Sequence, residues 1–306
     1  MDLSIVIVSW NCRAELLDCL QSVVRYPYSG AQEIIVVDNA SSDGTVEAAR
    51  QRFPAVRVFE AGVNIGFARA ANLGLKAAKG EHILFLNPDT LISAGSLDAA
   101  LRALQSRPAV GVLGVALLDT KGFLQPSCGR FLSLAALLWS TLRRFVERTR
   151  VRERAGGGRL WNSSAVEEVD WLIGAFLLCR RVVLTEVGGF DEDYFLYAED
   201  MDLCYRVWQQ GHTILYFPEV TVIHHGNRSG AQKWAEKREG EIVRAELIFL
   251  RKHQGRLAAL GFRLFAGSLF FAKGLRFWFR AGGQTDPSGI EARRYWHMIK
   301  VCLGWK

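Results

Sequence analysis

Apolar runs and helical stripes alternate along the first third of the chain. Residues 3–8 form a continuous run rich in Ile and Val, the pattern of a strand buried on both faces. Leu16, Leu17, Leu20, Val23 and Val24 then recur at helical spacing and predict a helix over 13–25. Residues 33–37 read as a second strand, 46–52 as a helix, 56–59 as a third strand, 66–78 as a helix and 82–86 as a fourth strand. Further strands are expected at 110–118 and 171–179. Residues 200–210 predict a helix stopped by Gly211, followed by short strands at 213–217 and 220–223. A long charged helix is expected over 231–252, and 256–280 is mainly Leu, Phe, Ala and Gly. Short strands alternating with helices imply an α/β fold with a mostly parallel central sheet and flanking helices. Such sheets bind ligands beyond the C-terminal ends of their strands. The polar residues that follow each strand are therefore the candidates for chemistry.

Half of the 306 residues are apolar, enough for one large core and an appendage. The six cysteines, at 12, 19, 128, 179, 204 and 302, form no CxxC pair. They read as reduced thiols of a cytosolic protein rather than a disulfide frame or zinc site. The acidic start and short first apolar run predict no secretory leader. The net charge of +7 is uneven: 131–160 carry 7 basic against 2 acidic residues, 161–250 carry 8 against 15, and 251–306 carry 11 against 2. That asymmetry points to an anionic surface as partner. The basic, Gly-rich stretch 143–159 reads as a loop or linker.

Six polar clusters follow the strands. Ser9, Trp10 and Asn11 can offer a nucleobase a stacking face and hydrogen bonds, or simply end a strand. Asp38 can accept from a base imide or ribose hydroxyl, while Ser42 or Asp43 caps the next helix. No GxGxxG is present, which disfavours an ordinary dinucleotide site. Asn64 and Gly66 precede a helix start where free N–H groups favour phosphate, with Arg69 in reach of the same anion; a solvated arginine is the plainer alternative. Asn87 and Asp89 stand two apart on an extended segment, so both oxygens suit a hard divalent cation that also holds a diphosphate; a proline turn with an Asp cap is the rival. Residues 190–206 crowd six carboxylates among aromatics: Asp191, Glu192, Asp193, Glu199, Asp200 and Asp202. Helix capping and an Asp202–Arg206 pair explain part of that cluster. His224 and His225, before Gly226, can supply an imidazole to a metal or phosphate.

In this order and spacing the segments resemble the inverting family 2 glycosyltransferases with a GT-A fold, in particular their rhamnosyltransferase-like branch. The likeness rests on Ser9-Trp10-Asn11, Val37 to Gly44, Asn64-Ile65-Gly66-Phe67, Leu86-Asn87-Pro88-Asp89, Trp171 to Phe176, Phe190-Asp191-Glu192, Glu199 to Cys204, and His224 with Ser229. It covers about residues 1–230. It implies a GT-A, Rossmann-like catalytic domain over 1–230, with a nucleotide-sugar-binding half (1–118) and an acceptor and catalytic half (160–230). By the same resemblance Asp38 binds the nucleobase, Asp89 and His224 hold Mg2+ or Mn2+, and Asp200 is the general base with Glu199 beside it. Ser9, Trp10, Asn11, Asn64, Gly66, Arg69 and Asn87 fall on the donor side; Trp171, Gly174, Asp191 and Glu192 fall on the acceptor side. Asn87 departs from the usual pair of aspartates and leaves Asp89 the one charged ligand of that motif. The implied reaction is transfer of a sugar, dTDP-rhamnose being the expected donor, to a lipid-linked or surface-polysaccharide acceptor. A UDP-sugar donor and a catalytically inactive membrane scaffold are the alternatives. A sugar-phosphate nucleotidyltransferase would need a Gly-rich, Arg-containing loop after the first strand, which Ser9-Trp10-Asn11-Cys12 is not.

Residues 231–306 form the remaining helical, basic and aromatic extension. Residues 257–279 are apolar enough to invite a membrane span, but Arg263, Lys273 and Arg276 lie inside it, and a mid-span cation costs roughly 2.5–3.5 kcal/mol. Aromatics beside basic residues fit a helix lying in the interface, facing anionic lipid at the inner face of the cytoplasmic membrane. Packing on the catalytic domain or in a homodimer is the competing use. No nucleic-acid-binding motif accompanies the basic residues, so no nucleic acid is expected.

Overall fold

A computed structural model describes residues 1–135, 160–161, 163–226, 238–280 and 290–304. The first half alternates β1 (Leu3–Ser9), α1 (Arg13–Arg25), β2 (Gln32–Asp38), α2 (Thr45–Arg52), β3 (Arg57–Glu60), α3 (Phe67–Ala77) and β4 (His82–Leu86). Next come β5 (Thr90–Leu91), α4 (Ser96–Gln105), β6 (Val110–Leu118), β7 (Leu124–Gln125), β8 (Cys128–Gly129), β9 (Leu160–Trp161), β10 (Glu167–Glu168), β11 (Trp171–Leu172) and β12 (Phe176–Arg180). The chain continues through α5 (Arg181–Val187), α6 (Glu199–Gln209) and β13 (Thr213–His224) to α7 (Arg238–His253), α8 (Gly255–Arg280) and α9 (Ile290–Leu303).

The main sheet runs β10-β13-β6-β12-β4-β1-β2-β3, with β5 on β13 and β7 on β6. Strands β3, β2, β1 and β4 are parallel; β12 runs against both β4 and β6. Strand β13 is parallel to β6 and antiparallel to β10. A small second sheet has the order β11-β8-β9. Register places Ser9 beside Asp38 and Ile7 beside Leu86. The residues following β1, β2 and β4 therefore emerge along one edge of the sheet.

Strands β1 and β4 are wholly buried because apolar layers cover both faces. Leu16, Leu20 and Val23 of α1 and Leu97, Leu101 and Leu104 of α4 pack one face. Ala68 and Ala71 of α3, Val183 and Leu184 of α5, and Leu203 and Val207 of α6 pack the other. Each buried side chain of Leu size contributes about 1.5–3 kcal/mol, so the framework is held well away from the polar edge.

The expected strand at 171–179 divides into β11 and β12, because across Ile173–Ala175 the chain passes from the small sheet to the main one. The two strands expected at 213–217 and 220–223 form one continuous β13, irregular between Phe217 and Thr221. Pro218 explains the irregularity, since it lacks the N–H that a ladder needs. The 143–159 linker, Ser229, and residues 231–237 of the expected long helix lie outside the described residues.

The described residues divide into two compact units. The sheet and its helices through β13 make one. The other comprises Leu196–Ala198, residues from Leu132, and the helices from Arg238 onward. In it α7, α8 and α9 pack on one another, with Gly240 giving His297 and Val301 close approach. The six cysteines are all buried free thiols.

Candidate active site

The loops after β1 and β2 are laced together. Ser9 Oγ donates to Asp38 Oδ1 at 3.0 Å, and the Ser41 N–H donates to Asp38 Oδ2 at 2.8 Å. Asn11 takes the left-handed conformation (φ +48) and accepts the Ser42 N–H at 2.8 Å. Its own N–H donates to Ser41 Oγ. Asp38 is 2% exposed, and each oxygen keeps one further lone pair for a ligand. Asp43 accepts from the N–H groups of Arg13 and Thr45, the first residues of α1 and α2, but the N-cap positions are Cys12 and Gly44 rather than the expected Ser42 or Asp43.

Asn39 joins this loop to the next: its Oδ1 accepts the Ile65 N–H and its Nδ2 donates to the Gly66 carbonyl. Gly66 has φ +84, and a Cβ there would stand 2.5 Å from the Phe195 carbonyl oxygen, so glycine is required. The Phe67 N–H at the start of α3 donates to that same Phe195 oxygen, which takes up one donor expected to face an anion. Arg69 is exposed and meets Glu192 at 3.7 Å. Asn72 holds the acidic loop from below, bonding Phe190 through both its carbonyl and N–H and touching Glu192 at 3.2 Å. Asp191 turns back on the Asp193 N–H.

Beyond β4, Asn87 begins a turn in which the Thr90 N–H donates to the Asn87 carbonyl. Asp89 is 3% exposed and its Oδ1 lies 3.4 Å from His224 Nε2. Strand pairing of Thr90 with His224 and the His225 N–H on the Asp89 carbonyl fix both backbones. Burial alone would raise the Asp89 carboxyl, but its His224 partner outweighs that and holds it below the ordinary value. Among the described residues no three His, Cys, Asp or Glu side chains cluster at metal-binding distance. A buried carboxylate oxygen and an imidazole nitrogen nevertheless suit Mn2+, and the carboxylate alone suits Mg2+; such ions commonly take one or two protein ligands plus phosphate oxygens and water. Their 3.4 Å gap is close to the ~3 Å between neighbouring ligands on such an ion. The donor set fits.

Helix α6 opens on the acid pair, after a turn in which Tyr197 and Ala198 both have positive φ (+72 and +59). Asp200 Oδ2 accepts the Gly174 N–H at 2.9 Å and Oδ1 accepts the Met201 N–H at 2.8 Å. Glu199 is 7% exposed, and among the described residues its Oε2 has no hydrogen-bond partner. Burial, and for Glu199 the adjacent Asp200 charge, raises both carboxyls above the ordinary range. The Asp202–Arg206 pair forms at 2.7 Å, and Arg206 also holds the Val187 and Gly189 carbonyls, so Asp202 is structural. Trp171 lies over Gly129 and donates to the Arg130 carbonyl in the small sheet.

A carboxyl with a raised folded value binds its proton more tightly folded than unfolded. Its contribution to stability is full at acid pH and is lost as pH climbs from the ordinary value through the raised one. Glu199→Gln should therefore raise Tm by about 2–4 °C near pH 8 and leave it unchanged near pH 4. An equal shift at both pH values would sink this account.

These groups are joined through two residues that the sequence pattern did not single out as a hinge. The Gly174 N–H reaches Asp200, and the adjacent Ala175 carbonyl accepts the Asn87 N–H at 3.1 Å and Thr90 Oγ1 at 3.4 Å. The segment 174–175 thus ties the acid pair to the Asn87–Asp89 turn, and Asp89 leads on to His224. Asn39, inside the Val37 to Gly44 segment, and Asn72, in the helix that follows Gly66, carry no assigned role in the sequence reading, and Gln125 was missed. The importance of each lies in partners distant along the chain, which no local spacing marks.

Residues 4–170 match the sequence model of Glycosyl transferase family 2. The chain is 33% identical over 246 residues to N-acetylglucosaminyl-diphospho-decaprenol L-rhamnosyltransferase of Mycobacterium tuberculosis, covering 72% of this chain and 76% of that protein. It is 27% identical over 242 residues to rhamnosyltransferase WbbL of Escherichia coli K12, covering 74% and 88%. Mannosyltransferase PcManGT from Pyrobaculum calidifontis, solved with GDP-mannose and Mn2+, superposes with a TM-score of 0.59 at 18% identity, over 99% of this chain and 88% of that one. The strand-end network, the shared fold and the family match agree: this chain belongs to glycosyl transferase family 2, GT-A-fold inverting enzymes that transfer sugar from a nucleotide-sugar donor.

Proposed function

We propose that the chain moves L-rhamnose from dTDP-rhamnose to a lipid-linked glycan acceptor, with inversion at the anomeric carbon. The observation that carries the mechanism is the connected path from Asp200 through Gly174–Ala175 to Asn87 and Asp89. The rhamnosyl donor and lipid-linked acceptor rest on what the mycobacterial relative is named for.

In this reading Asp200 takes the proton from the attacking acceptor hydroxyl. The Gly174 and Met201 N–H groups hold its two oxygens, so the base needs no reorientation as the proton moves. Its raised proton affinity suits that work near neutral pH. Glu199 shares one negative charge with Asp200, since two buried neighbouring carboxylates resist ionising together. Asp89 and His224, with Asn87 beside them, would hold a divalent cation, which when bound offsets negative charge on the departing nucleoside diphosphate. Asp38 and Ser9-Trp10-Asn11 meet the nucleobase and ribose, while Asn64, Gly66 and Arg69 complete the donor side. Trp171, Gly174, Asp191 and Glu192 line the acceptor side. The two halves are 1–118 and 160–230, and 231–306 serves as the membrane-associating extension.

Helix α8 supports that last assignment. Leu257, Leu260, Leu264, Phe271 and Leu275 are exposed at helical spacing along one face, with Arg256 and Arg263 beside them. Gly255–Leu275 is also long and apolar enough to span a membrane by length and composition. The mid-helix cations favour a helix lying at the inner face of the cytoplasmic membrane.

Transfer assayed with dTDP-rhamnose, UDP-GlcNAc and GDP-mannose on a polyprenyl-diphospho-GlcNAc acceptor tests the donor. Turnover with dTDP-rhamnose alone is expected; preference for a UDP-sugar would overturn the rhamnosyl reading and leave the enzyme class standing. Leu264→Glu with Phe271→Glu should release the protein from phosphatidylglycerol vesicles, and undiminished binding would remove α8 from the membrane.

A further inference from the structure

We infer that Gln125 is a positioning residue that sets the tautomer of His224 and thereby keeps the Asp89–His224 gap open to a cation. The inference rests on the reading of Asp89 and His224 as metal-facing residues.

Gln125 lies in β7, which folds back antiparallel on β6. Its amide touches one residue twice. Nε2 donates to the His224 backbone carbonyl at 2.8 Å, and Oε1 lies 2.9 Å from His224 Nδ1. The first contact decides the second. A backbone carbonyl only accepts, so the amide nitrogen must face it and the amide oxygen must face the ring. That oxygen also only accepts, so Nδ1 carries the hydrogen. A neutral His224 is then left with a bare Nε2, the atom 3.4 Å from Asp89 Oδ1.

Two acceptors facing each other across 3.4 Å, on side chains 10% and 3% exposed, leave a place that positive charge fills: a cation, or a second ring proton that the cation displaces. With the opposite tautomer, Nε2–H would point at Asp89 and a proton would fill the place of the cation. Everything else about the pair is already fixed. Strands β5 and β13 hold Thr90 against His224, and the His225 N–H holds the Asp89 carbonyl. Only ring orientation and tautomer remain, and the Gln125 amide governs both. Outer hydrogen bonds of this kind typically alter metal affinity 10- to 100-fold.

The test compares Gln125→Leu, which loses both contacts, with Gln125→Glu, which still accepts from Nδ1–H but cannot donate to the carbonyl. Full-length protein labelled with 15N-histidine, without metal and at a pH high enough to leave the ring neutral, reports the His224 tautomer by long-range 1H–15N correlation. Mn2+ alone is then titrated by electron paramagnetic resonance, with Asp89→Asn as control and circular dichroism verifying the fold. Wild type and Gln125→Glu should carry the hydrogen on Nδ1 and bind Mn2+ within ~3-fold of each other. Gln125→Leu should shift the hydrogen to Nε2 and bind Mn2+ ~10- to 100-fold more weakly. A wild-type tautomer and Mn2+ affinity in folded Gln125→Leu would overturn the inference. So would a loss in Gln125→Glu equal to that in Gln125→Leu, because the carbonyl contact would then be the part that matters. Wild type that binds no Mn2+ would overturn the metal reading instead, and the tautomer measurement would still decide the role of Gln125.

Discussion

Asp200→Asn lowers kcat by roughly a hundred- to ten-thousandfold, the usual contribution of a general base, and leaves donor affinity nearly unchanged. The substitution keeps the shape of the side chain and removes its capacity to take a proton. It also sets one amide nitrogen against an N–H that now serves a carboxylate oxygen, either Gly174 or Met201. That mismatch costs about 1–3 kcal/mol of stability, so thermal unfolding must accompany the kinetics. The split between kcat and donor Kd is what separates a base from a merely structural acid. In the wild type, kcat should rise with pH through a range above that of an ordinary carboxyl, because the base works deprotonated and burial raises its pKa. Near-normal turnover in a folded Asp200→Asn enzyme would remove Asp200 from the mechanism.

Asp89→Asn lowers kcat/KM by roughly a hundred- to a thousandfold and weakens Mn2+ binding in parallel. The side chain is buried and its partner is His224 Nε2, so the change removes the one negative charge of that pair without altering its volume. The backbone carbonyl of Asp89 still accepts the His225 N–H, and the turn should survive. Raised Mn2+ should recover part of the lost activity, as expected where affinity rather than geometry has fallen. Activity of Asp89→Asn that matches wild type at low Mn2+, or that ignores Mn2+ altogether, would sink the assignment.

The alternation of strands and helices was legible because burial leaves a local trace. The all-apolar run at β1 and the Leu16, Leu20 and Val23 stripe of α1 need no partner to be recognised, and β4 and β6 match their expected bounds. The acids at 199, 200 and 202 were equally visible as a cluster, and the Asp202–Arg206 spacing already marked that pair as a helix-face contact. The split of 171–179 was not visible. Both pieces are apolar enough for one strand, and what parts them is the passage from the small sheet to the main one, where Asp200 and Asn87 bond the backbone at Gly174 and Ala175.

The sequence by itself determined the α/β class, the order of the strand-end clusters and the residue types that could bind a diphosphate or take a proton. Those properties depend on local periodicity and on side-chain chemistry, which neighbours in the chain suffice to specify. Only the tertiary structure decided which polar groups meet. It brings Gly174 to Asp200 across 26 positions, Asn39 to Gly66 across 27, and Gln125 to His224 across 99. Hydrogen bonds act over about 3 Å in space and are indifferent to separation along the chain, so a single amide such as Gln125 carries no mark until the sheet sets it against its partner.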